Sequence, residues 1–123
     1  MIYNGYKVVF FRDSKGKAPV LGYIDRLPKK EKAKVLKYID FLREKKGILY
    51  EPYSKHIVGK IRELRVDISR NRHRIFYFTF IGKKIILLHA FLKRTNKTPL
   101  AEKNRALNNY KIVVKNPEQY ESR

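Results

Sequence analysis

The chain has 123 residues, 43% hydrophobic and 13% aromatic, which suits one globular domain with a single core. Its 30 Lys and Arg against 11 Asp and Glu give a net charge of +19, a surplus that favours a polyanionic partner. With no Cys, disulfides, thiolate catalysis and Cys-based zinc sites are excluded; the apolar runs are too short to span a bilayer, so no membrane partner and a cytoplasmic location are expected.

The first strand signal is YKVVFF, Tyr6 to Phe11, bounded by Gly5 and the turn-like RDSKGK. A short helix is expected from Pro19 to Leu27, and a second from Pro28, in its first turn, to about Lys46, with Gly47 as C-terminal cap. In the second helix Val35, Leu36, Ile39 and Leu42 form the apolar stripe, and Lys32, Lys34, Lys37, Arg43 and Lys45 fill much of the rest. Residues Ile48 to Lys60, rich in turn formers, read as a loop.

KIRELRVDI, HRIFYFTF and KIILLHAFL follow with short separators, the pattern of an antiparallel meander rather than a crossover parallel sheet. A last helix is expected from Thr98 as N-cap and Pro99 as first helical residue, and a frayed polar tail from about residue 115 to 123. The fold class is therefore α+β, one domain over residues 1–123, with N-terminal helices on a mainly antiparallel sheet and a C-terminal helix.

Alternation sends Leu64, Val66 and Ile68 to one face and Glu63, Arg65 and Asp67 to the other. In the next strand Arg72 and Arg74 share a face with Phe76, Phe78 and Phe80, opposite His73, Ile75, Tyr77 and Thr79; Tyr77 reads as core. Antiparallel pairing brings the start of this strand beside the end of the following one, so Arg74, Lys93, Arg94 and, in register, Arg65 should gather at one rim. Ser54 to Lys97 holds twelve Lys or Arg against two acids, interleaved with aromatics, as single-stranded RNA contacts require. Within that tract Lys60, Arg72 and His73 are further RNA-contact candidates.

His56, His73 and His89 fall in no metal-ligand spacing, and paired carboxylates, a Gly-rich phosphate loop and a Ser-His-Asp arrangement are missing, so neither metal nor cofactor is expected. RNA cleavage by its own 2′-hydroxyl needs only in-line positioning, cations for the phosphorane and groups that move protons. Arg and Lys supply the cations; His or Tyr could move the protons. His89 reads equally as a packed strand residue or a catalytic one.

KIRELRVDISRNRHRIFYFTFIGKKIILLHAFLKRTNKTP, with LLHAFLKRTNKTP ahead of a helix containing RAL, resembles the HigB-like, phage-derived branch of the RelE/ParE toxin superfamily over nearly the whole chain. The resemblance implies a curved RelE-like sheet and a type II toxin that cleaves mRNA in the ribosomal A site, in contact with ribosomal RNA and held inactive by a HigA-like helix-turn-helix antitoxin. By motif position it implies Arg65, Arg74, Lys93 and Arg94 as phosphate-binding and transition-state-stabilising residues, and Lys97 as an RNA contact. Glu63 stands where several relatives carry a Lys, and the base stays open among His89, His73, His56 or a positioned water. Two other readings are a ParE-type gyrase poison without nuclease activity and a non-catalytic basic RNA-binding module.

Overall fold

The computed structural model describes residues 5–121. Its elements run β1 (Lys7–Phe10), α1 (Pro19–Asp25), α2 (Lys29–Glu44), β2 (Ser54–Val58), β3 (Ile61–Ile68), β4 (Asn71–Phe80), β5 (Lys84–Lys93), α3 (Leu100–Lys115) and α4 (Glu118–Glu121). The five strands form one sheet in the order β1-β5-β4-β3-β2; β1 pairs parallel to β5 and the remaining pairs are antiparallel. This is the expected α+β architecture, with helices from the two ends of the chain on opposite faces of the sheet.

The two faces follow from strand alternation. Leu64, Val66, Ile75, Tyr77, Ile85 and Leu87 point to α1 and α2, where Val20, Ile24, Val35, Ile39 and Leu42 complete one core. Phe76, Phe78, Ile86, Leu88 and Phe91 point to α3, meeting Ala106 and Val113 in a second. A sheet covered on both sides must be apolar on both, and the run from His73 to Phe78 is buried throughout. No helix among the described residues is long and apolar enough to cross a membrane.

Four local expectations need correction. The stretch read as a loop contains β2, a polar edge strand whose Lys55 and His56 are exposed, so only its pairing with β3 defines it. Buried Ser54 fastens it, with its Oγ 2.7 Å from Tyr77 Oη and 3.0 Å from Arg62 Nε, which donates to it. Pro28 and Pro99 are N-caps with extended ψ, so α2 and α3 each start one residue later than expected, and Thr98 is not the cap. Leu36 lies off the buried stripe and is exposed. The tail is not frayed over its described part: α4 buries Tyr120, whose Oη accepts a hydrogen bond from Arg12 N at 3.2 Å; residues 122 and 123 lie outside the described residues.

α2 ends at Glu44 with Lys45, not the expected Gly47, as its C-cap; Gly47 follows in the turn, its N–H donating to Leu42 O at 2.9 Å with φ at +79°. A Cβ there would meet Thr79 Oγ1 at 2.6 Å, a short β-branched side chain with little room to withdraw. Left-handed strain alone costs roughly 1–2 kcal/mol for a non-glycine residue. Gly47→Ala should therefore lower the urea midpoint by an amount equivalent to about 2 kcal/mol or more with an unchanged slope; an unchanged midpoint would show that the α2–β4 junction can yield.

Candidate nucleic-acid interface

Strand register assembles the basic rim. Arg65 is the Cα partner of Arg74, and Arg72 is flanked by Asp67 and Lys93. All lie on the α3 side of the sheet, and a β-bulge in β5 is what places Lys93 there. Phe76 pairs with His89 but Tyr77 pairs with Leu87, so Leu88 is the extra residue and the alternation of β5 inverts beyond it. Ile85 and Leu87 point to α1 and α2, whereas Phe91 packs in the α3 core. Uninterrupted alternation would have turned Lys93 away from Arg74.

The charges are not equivalent. Arg74 is only 1% exposed, and it is neutralised within the protein: its Nη1 donates to Asp67 Oδ1 at 2.6 Å and its Nε faces Glu63 Oε1 at 3.5 Å. Glu63 is equally buried, and that Nε and Oε1 complete no hydrogen bond among the described residues. The two buried atoms face each other as an ion pair rather than a hydrogen bond. Arg65 is half-buried, with Glu51 Oε1 4.0 Å from its Nη1.

Above this pair lies a cleft of about 390 Å³, lined by Lys55 and His56 of β2, Glu63, Lys93, Lys97 and Lys103. Lys93 is 9% exposed. Burial lowers its pKa below the ordinary lysine value of 10.5; Glu63 pulls in the opposite direction, and Arg74, Arg65 and Arg72 lower it further. The cleft thus has cationic walls and a floor that combines a carboxylate with a lysine whose pKa burial lowers.

The remaining candidates separate. His73 is 2% exposed on the opposite face, where its Nε2 donates to Glu31 Oε1 at 2.6 Å and its Nδ1 accepts from Tyr23 Oη at 2.7 Å. It ties β4 to α1 and α2 and is not available to RNA. Burial and Glu31 push the Tyr23 pKa up to about 12, while Arg94 acts the other way. Arg94 therefore stands on the α1 side of the rim and is exposed, turned from Lys93 by strand alternation. His89 stacks on Phe91 and donates from Nε2 to Glu102 Oε1 at 2.9 Å, joining β5 to α3. Lys60, exposed at the β2–β3 turn, lines an adjoining cavity with His56 and Arg62 rather than the cleft.

His56 donates from Nε2 to Gly59 O at 2.8 Å, which leaves Nδ1 as its basic nitrogen. Lys55, Lys103 and the role of Glu63 were not singled out from the sequence as parts of a site. Alternation placed Glu63 among outward residues but could not show that the loop after β5 and the first turn of α3 would cover it. Among the described residues no three His, Asp or Glu side chains gather as a metal site.

The model of the family described as phage derived protein Gp49-like matches residues 22–111, a span that includes every residue of the cleft. The chain belongs to the Gp49-like family. This family is part of the RelE/HigB-like group of toxins from toxin–antitoxin systems. No curated protein sequence matches the chain.

The Lys93 shift has a definite consequence for stability. A lysine with a depressed folded-state pKa carries a penalty that is complete below that pKa and relieved as pH rises to 10.5, where the unfolded chain also loses the proton. Lys93→Met should thus melt no lower than the parent protein at pH 7, with its relative advantage shrinking as pH approaches 10.5; calorimetric melts across that range test the sign. Arg74→Ala, which strands Glu63 as a buried charge, should instead cost about 3–5 kcal/mol in urea unfolding.

Proposed function

We propose that this Gp49-like protein is the toxin of a type II toxin–antitoxin pair and acts as a metal-independent endoribonuclease on mRNA in the ribosomal A site. The observation that carries the reading is the meeting of Glu63 and Lys93 at the floor of a lysine-walled cleft. A phosphodiester is the group that such walls attract, and a carboxylate beside an acidic ammonium group is the pair its transesterification needs.

In this reading Glu63 takes the proton of the ribose 2′-hydroxyl, whose oxygen attacks the adjacent phosphorus. Lys93 gives its proton to the departing 5′-oxygen, so one P–O bond forms, another breaks, and the product carries a 2′,3′-cyclic phosphate. Arg65 and Arg72 stabilise the negative charge that collects on the phosphorane, and Lys55, Lys97 and Lys103 hold the strand. Arg74 acts from beneath, orienting the Glu63 carboxylate. His89 braces α3, and Arg94, on the far side of the rim, faces ribosomal RNA. A helix-turn-helix antitoxin would silence the protein by blocking this approach or by stabilising a closed cleft.

The test is expression without an antitoxin, followed by mapping of transcript ends. Growth arrest with new ends inside translated codons is expected. Lys93→Met should lower the cleavage rate by about 10²-fold or more while the protein remains folded. Arrest with intact transcripts would remove the nuclease reading, and DNA breaks in their place would favour gyrase poisoning. Affinity for single-stranded RNA should fall with salt by roughly 0.7 log units per decade for each phosphate held.

A further inference from the structure

The cleft does not end at His56. That residue lines two further cavities: one of about 590 Å³ bounded also by Tyr50, Glu51, Lys55 and Arg62, and one of about 380 Å³ that reaches Lys60 and Thr79. A cationic path therefore continues over the edge strand β2, beyond the groups needed for chemistry.

Tyr50 stands on this path with 74% of its surface exposed, the most exposed large hydrophobic side chain among the described residues. Only one other aromatic, Tyr53, appears among the exposed large hydrophobics there, and its ring is already engaged edge-on by Tyr38 and Phe41. No ring among the described residues packs on Tyr50. Its backbone, by contrast, is fixed: Tyr50 O accepts hydrogen bonds from Tyr53 N at 2.9 Å and Ser54 N at 3.1 Å. The preceding carbonyl, that of buried Leu49, accepts from Arg62 Nη2 at 3.3 Å. A bare aromatic ring on a pinned turn, beside Lys55 and Arg62, has the two properties of a single-strand stacking platform: a preorganised π-face and cations for the neighbouring phosphate. The cavity's one carboxylate, Glu51, is turned toward Arg65 and leaves the wall net positive, which favours a nucleic acid over a cationic peptide.

We propose that Tyr50 forms a second nucleotide subsite, stacking a base of single-stranded RNA one step beyond the cleft. The subsite rests on the ribonuclease reading above, because it serves a strand already seated there. It would make the protein's grip depend on RNA length and on the identity of the stacked base.

The probe is a set of uncleavable 2′-O-methyl hexanucleotides with a single 2-aminopurine moved along the chain. One position should show strong fluorescence quenching on binding. Tyr50→Ala should abolish that quenching and weaken binding about tenfold, Tyr50→Phe should preserve both, and melting temperatures should be unchanged. If the parent protein binds the hexamers but Tyr50→Ala retains quenching and affinity, or Tyr50→Phe loses them, the subsite is wrong and the nuclease reading stands. If the parent protein binds no hexamer even at low salt, the RNA reading falls, and the subsite with it.

Discussion

Arg74 carries a full positive charge at a position with almost no exposed surface, at the point where three strands of a strongly basic protein meet. Burying such a charge alone costs several kcal/mol, so the fold tolerates it only because Glu63 and Asp67 approach from the neighbouring strand. This triad of charges sets the rest of the rim. It holds β3 and β4 in a register that any one-residue slip would convert into buried unpaired ions, and it cancels the field of the most central cation. Arg65, Arg72 and Lys93 are left as the cations that a ligand can use.

That arrangement separates two tasks that composition alone merges. Cations buried with acids organise the sheet; cations on the cleft wall give it a positive lining. Lys93 stands between the groups: burial lowers its pKa, Glu63 works against that, and Arg74, Arg65 and Arg72 lower it further. Proton-transfer chemistry favours such intermediate groups, because a fully solvated lysine holds its proton too tightly. The three histidines, the customary candidates for this work, are held in other bonds: His73 beneath the N-terminal helices, His89 against α3, and His56 through Nε2 to a turn carbonyl.

The polar edge strand β2 has a second role. An apolar strand there would expose a hydrophobic edge to other chains, whereas the exposed Lys55 and His56 deter pairing and line the cleft. Membership of the Gp49-like family sets the protein in the RelE/HigB-like toxin group.

Much of the architecture was legible in the sequence because hydrophobic alternation is local. The two faces of β3 and β4, the order of the meander and the stripe of Val35, Ile39 and Leu42 all follow from residue spacing within a few positions. β2 and α4 were not legible, since SKHIV and EQYE carry little periodicity and owe their structure to pairing with β3 and to the burial of Tyr120. The basic tract was visible as a tract, but its division into buried, braced and ligand-facing members was not. That division turns on one inserted residue, Leu88, which inverts the alternation of β5 and brings Lys93 to the cleft that Glu63 also lines. A bulge arises when two strands of unequal local length are matched across the sheet, so it is a property of the pair and is written in neither strand alone.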